Sequence, residues 1–515
     1  MPKPSNDMNV PIAVASSSQL AADAGAAVAE RGGNAVDTAI AAALASVNTE
    51  PGVCGLGGGG FVTVWPADGR AVVIDGYTAA PGLGLPGERL GTGGVEVFID
   101  YGGGVRTVVG PGSVATPGAV AAFGEASARF GALPWAELFE PVIGATEDGF
   151  PLPAACHHYL QASADCVFEQ DRDGWDCLHD ENGHLKPPGA TIRVPHLADS
   201  LRRVAQYGAL EFYSGELGRR IADHVQARGG TLTREDLANY RAKLREPLIT
   251  PVSRWQVATN PSPALGGVIL TAMLTLMAGE YASLPSNPVA RQIAVQKLVL
   301  GYRHRQAGDP ATAERDMDRL MAGVHRRDLH FLGSASTVQT SAVDGTGLGC
   351  SITMSTGYGS GLMPAGTGIW LNNCLGELEL IPVALEGPAP GARLPSNMAP
   401  TIARNDRGST LVIGSPGADR ITTALLQVLD QHLLRGMPLA DSIGAPRIHL
   451  EYDGSSPRLA HEPIGELPAN SPAPRAFGPH SMYFGGVAAA RADRAGQVQA
   501  AADPRRAGGT RVVTV

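Results

Sequence analysis

One threonine, about two-thirds of the way along the chain, offers the most chemistry in this sequence. Thr337 stands in Ser336-Thr337-Val338-Gln339-Thr340-Ser341-Ala342-Val343-Asp344, directly before a strand-like run that ends in a turn. Were the Ser336–Thr337 bond cut, this residue would carry both a hydroxyl and a free α-amino group, a nucleophile beside its own base. An α-amino group titrates near ~7.7–8.0, so much of it is neutral at physiological pH and able to take a proton. Threonine activated by its own amine is a recognised catalytic solution. In isolation the stretch reads first as an ordinary strand edge, where Thr is common.

A second cluster joins Cys156-His157-His158, Cys166 and Cys177-Leu178-His179. Its spacings match no common zinc pattern, so these residues read as packed or surface side chains, and neither a metal nor another cofactor is expected. Cys54, Cys350 and Cys374 bring the cysteines to 6. Such low usage fits buried thiols in a reducing compartment.

The elements that must position Thr337 follow from the texture of the chain. Alanine-rich helical patterns run from Ser17 to Glu30 and from Ala35 to Val47, separated by the helix stop Arg31-Gly32-Gly33-Asn34. A glycine run, Gly55-Leu56-Gly57-Gly58-Gly59-Gly60, precedes two strands, Phe61–Trp65 and Ala71–Asp75. Helical patterns return over 118–150, where Pro134-Trp135 suits a helix start, over 195–245, and after a Pro/Ser/Gly loop within 260–330. Beyond Thr337 strands dominate: Gln339–Val343, Gly349–Met354, Gly368–Leu371, Thr401–Arg404 and Thr410–Ile413. A helix follows over Ile421–Leu434, a Pro/Ser/Gly-rich loop over Asp453–Pro474, then short strands. Helical layers covering stacked sheets are the expected architecture.

The bulk numbers bound the function. With 515 residues and a 44% hydrophobic fraction, the chain can bury a large layered core. Its 66 glycines and 39 prolines show no short period and indicate many tight turns. A net charge of −9 without a dense Lys/Arg run argues against a nucleic-acid partner. The start of the chain, MPKPSNDMNVPIAVASSSQLAADAG, lacks the apolar core of an export signal, and no stretch approaches the roughly 18 apolar residues of a membrane span. A soluble, cytoplasmic protein is expected.

Ordered motifs spread over nearly the whole chain resemble the γ-glutamyltranspeptidase family of N-terminal-nucleophile hydrolases. They are Gly32-Gly33-Asn34-Ala35-Val36-Asp37, Glu50-Pro51, the run Gly55–Phe61, Pro111–Gly118, Arg129–Trp135 and Phe212-Tyr213-Ser214-Gly215. Later come Gly368-Ile369-Trp370-Leu371-Asn372-Asn373, Met398–Ile402, Gly414-Ser415-Pro416-Gly417 and Asp503-Pro504-Arg505-Arg506. The resemblance implies a four-layer αββα sandwich and self-cleavage between Ser336 and Thr337. A large fragment, 1–336, and a small fragment, 337–515, would then stay associated in one interleaved domain.

Individual roles carry over the same way. Thr353 corresponds to the threonine that hydrogen-bonds and tunes the nucleophile. Gly417 and Ala418 correspond to the glycine pair whose backbone N–H groups stabilise the oxyanion. The substrate shell departs from the family. Tyr77 stands where an arginine normally clamps the substrate α-carboxylate, and a phenol cannot replace a bidentate guanidinium. Ser355 stands for an asparagine, Cys374 and Glu377 for the glutamine and aspartate that bind the α-amino group, and Gln339-Thr340 for a His-aromatic pair. Ser396 and Asn397 stand where the family has paired serines.

These departures imply a Thr-nucleophile hydrolase or acyltransferase acting on a small, non-standard acyl or amide substrate rather than glutathione. Two alternatives remain: hydrolysis of a C–C bond to remove an oxalyl-type group in 4-alkyl-proline antibiotic biosynthesis, and a catalytically silent scaffold. A small molecule is the expected partner, and a homo-oligomer is left open.

Overall fold

The two strands that follow Thr337 are buried along their whole length, on both faces. The computed structural model describes residues 10–101, 104–279, 284–306, 337–381, 388–453 and 456–514. Val338–Asp344 and Gly349–Ser355 are buried at every position, so their apolar pattern alternates only weakly. A strand covered by helices on one face and by a second sheet on the other needs no polar face.

Those two strands occupy the middle of a seven-stranded antiparallel sheet. Its order is Gly509–Thr514, Pro11–Ser16, Val338–Asp344, Gly349–Ser355, Gly59–Trp65, Val72–Gly76 and Lys243–Arg245. A six-stranded antiparallel sheet packs against it, in the order Val498–Ala502, Ala488–Ala492, Thr410–Gly414, Thr401–Asn405, Trp255–Thr259 and Leu248–Val252. The helices Gln19–Ala29, Ala35–Thr49 and Ala119–Phe130 cover the outer face of the first sheet, and Leu265–Ala278 and Arg420–Leu429 cover the second. The result is a four-layer αββα sandwich.

Small residues make this stacking possible. All of Ala35–Thr49 is buried, and alanine predominates where the helix crosses the strands. Asn34 starts that helix by accepting from the Val36 and Asp37 N–H groups, and Asp37 accepts in return from the Asn34 N–H, a complete capping box. The Gly32-Gly33-Asn34 stop is therefore also the start of the next helix.

Two expectations are corrected. Gly368–Leu371 is not a strand: Gly368 has φ 67°, and Leu371 forms only an isolated bridge with Gly57. Side chains meet part of the backbone polarity there instead, the Ile369 N–H donating to Thr367 Oγ1 at 3.2 Å and Ser360 Oγ to Leu371 O at 3.0 Å. Conversely, 453–474 is not all loop, because Ser456–His461 pairs antiparallel with Ile448–Asp453 and parallel with Ala473–Ala476. Pro457 is tolerated because the Ala473–Ala476 pairing begins only at Arg458, leaving Pro457 a neighbour on one side alone.

The expected helix to Leu434 turns regular at Arg420–Leu429 and ends in a wider turn, Asp430–Leu434. The helical expectation within 260–330 is met at Leu265–Ala278 and Pro288–Gln306, and its remainder, with Ser336, lies outside the described residues. No helix among the described residues is long and apolar enough to cross a membrane.

Candidate active site

Antiparallel register sets the position of Thr337. Val338 faces Met354 and Gln339 faces Thr353, so the chain direction carries Thr337 towards Ser355 at the end of the sheet. Thr337 is 3% exposed and lines a cavity holding about 250 Å³ of space, its mouth included. Tyr77, Ser355, Glu377, Ser396, Asn397 and Ala418 line the same cavity, and Leu380, Met398 and Ile421 complete its wall. Residues drawn from five separate stretches of sequence thus converge on one threonine.

Two asparagines make the loop bearing Glu377 rigid. Asn372 Nδ2 donates to Gly57 O at 2.8 Å and Ala115 O at 2.9 Å, while its Oδ1 accepts from the N–H groups of Ala115 and Cys374. Asn373 Nδ2 donates to Thr107 Oγ1 and Val108 O, both at 3.0 Å, and its Oδ1 accepts from the Tyr358 N–H. Both carboxamides are spent on architecture. Across the cavity, Tyr77 Oη donates to Glu377 Oε2 at 3.3 Å. Burial first, then the neighbouring Cys374 and Glu377, pushes the Tyr77 phenol well above its ordinary range, so it remains a donor.

Among the described residues no guanidinium lines the cavity beside Tyr77. Arg245 and Arg393 both pair with the buried Asp75, and Arg393 also lies 4.3 Å over the Tyr240 ring. Tyr240 Oη in turn donates to Tyr77 O at 2.6 Å. These arginines support the strand end behind Tyr77, and among the described lining residues the only charged group is Glu377.

Three expected site residues stand apart from the cavity lining. Cys374 is packed in the apolar core with Leu375, and burial pushes its thiol well up. Thr353 Oγ1 donates to Gln339 Oε1 at 2.5 Å. Gln339 Nε2 continues the network, donating to Thr340 O, Ser341 Oγ and Ser351 Oγ at 2.8, 3.0 and 3.1 Å. Those serines donate to Ala488 O and Ile413 O of the facing sheet. Gly417 lies directly before the lining residue Ala418.

The Gly417-Ala418 turn is backbone under constraint. Gly417 has φ 122° and Ala418 φ 65°, the latter a left-handed conformation that costs a side-chain-bearing residue on the order of 1 kcal/mol. Glycine is required at 417, where an added Cβ would also stand 2.7 Å from Gly485 Cα. Ser415 pins the entry to the turn, donating to Pro416 O and accepting from the Gly486 N–H. Neither the Gly417 nor the Ala418 N–H donates to a described acceptor.

Sequence reasoning missed the support beneath this turn. His449, almost fully buried, faces Asp419 Oδ2 with Nε2 at 3.2 Å and Thr423 Oγ1 with Nδ1 at 3.1 Å. Asp419 also pairs with Arg420, whose Nε donates to Tyr483 O and whose guanidinium lies 4.6 Å over the Tyr483 ring. The one visible signal was a charged Asp419-Arg420 pair directly after Gly417-Ala418.

The cysteine–histidine cluster is dispersed. Cys156 and Cys177 are buried on the separate helices Ala154–Val167 and Arg172–Leu178, where burial pushes the Cys177 thiol up to about 12. His179 stacks on Trp175. Among the described residues no group of three His, Cys, Asp or Glu side chains is placed to hold a metal ion.

Comparison with known proteins agrees with this arrangement. Residues 21–513 match the family model for gamma-glutamyltranspeptidase. The chain is 31% identical to the Acylase ACY 1 proenzyme of a Pseudomonas species, over 84% of this chain and 81% of that one. It is also 31% identical to the glutathione hydrolase proenzyme of Pseudomonas aeruginosa, over 89% and 87% of the two chains. In three dimensions it superposes on the cephalosporin acylase of Bacillus halodurans with a TM-score of 0.79, covering 99% and 98% of the two chains at 24% identity, a likeness of fold. The chain therefore belongs to the γ-glutamyltranspeptidase family and is an enzyme of the N-terminal-nucleophile hydrolase type.

Proposed function

We propose that this chain is a self-processing acylase whose Thr337 becomes the nucleophile once the Ser336–Thr337 bond is cut, and whose substrate is not a γ-glutamyl compound. The observation that carries the reading is the shared cavity, with Thr337 and Ala418 in its lining and no cationic side chain among the described lining residues.

Processing begins with attack of the Thr337 hydroxyl on the Ser336 carbonyl. The acyl group shifts from nitrogen to oxygen, and water hydrolyses the resulting ester, releasing the Ser336 carboxylate and the Thr337 amine. In turnover the amine takes the hydroxyl proton as oxygen attacks the substrate carbonyl. The negative charge on the carbonyl oxygen is met by the Gly417 and Ala418 N–H groups. The leaving amine departs with a proton, and water or a second amine then takes the acyl group from Thr337.

The word proenzyme in the names of both Pseudomonas relatives supports processing. The name acylase supports an acyl group other than glutamyl, as does Tyr77 at the place of the carboxylate clamp. A γ-glutamyl substrate would leave its α-carboxylate facing a phenol and Glu377, a loss of several kcal/mol of binding.

Purified protein resolved on a denaturing gel and by intact mass tests this directly. Two fragments, the smaller beginning at Thr337, are expected, with Thr337→Ala remaining one chain and inactive. A single persistent chain, a different new N-terminus, or an active Thr337→Ala protein would overturn the proposal.

A further inference from the structure

Asn397 stands out in the cavity wall, because it is only 5% exposed while neither its Nδ2 nor its Oδ1 has a hydrogen-bond partner among the described residues. A buried carboxamide normally finds partners, and leaving a donor and an acceptor unmet is costly. It is also held where it is. Ser396 O accepts from the Leu265 and Gly266 N–H groups at 2.7 and 3.0 Å, and Met398 O accepts from Asn260 Nδ2 at 3.0 Å. The backbone on both sides of Asn397 is pinned, to the start of the Leu265–Ala278 helix on one side and to Asn260 ahead of it on the other, so the side chain is presented to the cavity on a rigid support.

We infer that the acyl group taken by this cavity ends in an uncharged edge that both donates and accepts, a primary carboxamide or a lactam, and that Asn397 reads this edge. The inference rests on the acylase reading and names its substrate class. A carboxamide edge offers one N–H and one C=O side by side, the complement of the Asn397 edge. A carboxylate would satisfy Nδ2 but confront Oδ1 with a second acceptor, and it would share the cavity with the Glu377 carboxylate. An ammonium would satisfy Oδ1 and leave Nδ2 unmet. Leu380, Met398 and Ile421 suit the apolar stem of such an acyl group.

The test uses the processed enzyme and three p-nitroanilides of equal acyl length, ending in a carboxamide (glutaramoyl), a carboxylate (glutaryl) and an isopropyl group (5-methylhexanoyl). The carboxamide should be preferred in kcat/KM by roughly tenfold or more over either analogue, the scale on which a buried hydrogen-bonding site rejects a partner that cannot pair. Asn397→Leu and the milder Asn397→Ser should each bring the three values to within about threefold of one another, by the loss of that pairing. Equal or inverted preference in the parent enzyme, or a preference that survives Asn397→Ser, overturns the inference. If the ranking fails while Thr337→Ala still abolishes all turnover, only this inference falls. Turnover of none of the three overturns both the inference and the amide-cleaving reading.

Discussion

His449 Nε2 and Asp419 Oδ2 meet at 3.2 Å directly beneath the turn that carries Ala418. Thr423 Oγ1 lies 3.1 Å from His449 Nδ1 and donates to Arg420 O at 3.1 Å. Each ring nitrogen faces an oxygen, and the imidazole ties the residue after Ala418 to the Ile448–Asp453 strand. The left-handed Ala418 needs such a tether, because the relaxed chain would leave that conformation and re-aim its N–H.

Asp419→Asn and His449→Gln are therefore expected to lower kcat by about tenfold, less than the ~10²–10³ seen when an oxyanion donor is deleted outright. KM should change by less than about threefold, since the tether acts on the transition-state oxygen rather than on the acyl group. Steady-state kinetics with any turned-over amide checks the split, and a rise in KM with kcat intact would contradict it.

The Thr353–Gln339 pair leads to a second expectation. With its proton committed to Gln339 Oε1, the Thr353 hydroxyl keeps lone pairs to accept from neighbours on its face of the sheet, where Thr337 lies diagonally across the pair. Gln339→Leu should slow both processing and turnover by about tenfold or more, because it removes the acceptor for Thr353 and the donor to the Ser341 and Ser351 hydroxyls between the sheets. Gln339→Glu, which retains the acceptor, should process faster than Gln339→Leu in a time course on denaturing gels.

Gly414 faces the same carboxamide. A methyl group at this position would overlap Gln339 Oε1, and the pinned network leaves the amide nowhere to move. Gly414→Ala is expected to lose about 1–3 kcal/mol of stability, as for an overpacked core, together with processing. Thermal unfolding and the cleavage gel read both effects on one preparation.

A fourth expectation concerns pH. Glu50 is buried and accepts from Ser17 and Ser46, each at 2.7 Å, and burial outweighs these bonds to hold its carboxyl above the usual range. The folded state thus binds the proton more tightly than the unfolded state. Its contribution is full below the ordinary carboxylate range and is lost as pH rises through the raised value. Glu50→Gln keeps the acceptor oxygen and removes that loss, so its unfolding midpoint relative to the parent should be higher at pH 8 than at pH 5. A difference independent of pH would mean that the carboxyl is not raised.

What could be read in the sequence was what lies close along the chain. The Gly32-Gly33-Asn34 stop, the paired strands near Phe61 and Val73, and the strands flanking Thr337 all stand where local pattern puts them. The strand Pro11–Ser16 gave no such signal: it is only six residues long, and its two neighbours come from far along the chain. Ser456–His461 was hidden by its own Pro and Ser. At the site, a family resemblance could nominate Ser355, Glu377 and Asn397, and these do line the cavity with Thr337. It nominated Cys374 too, whose side chain the Asn372 bonds leave in the core. His449 was beyond reach, since its meaning depends on a 30-residue separation from Asp419.

The order of strands at one edge of the first sheet has a consequence for the life of the protein. Pro11–Ser16 is flanked by Val338–Asp344 on one side and Gly509–Thr514 on the other, bonded to each along its length. A cut before Thr337 would leave this first strand clasped between two strands of the other fragment, like a tongue in a groove. Neither piece could leave without unzipping both of these ladders, together with those that join Gly59–Trp65 to Gly349–Ser355 and Trp255–Thr259 to Thr401–Asn405. Scission at that point would make a new chemical group while dismantling nothing, so a precursor could be made inert, switched on by one broken bond, and never have to find its own half again.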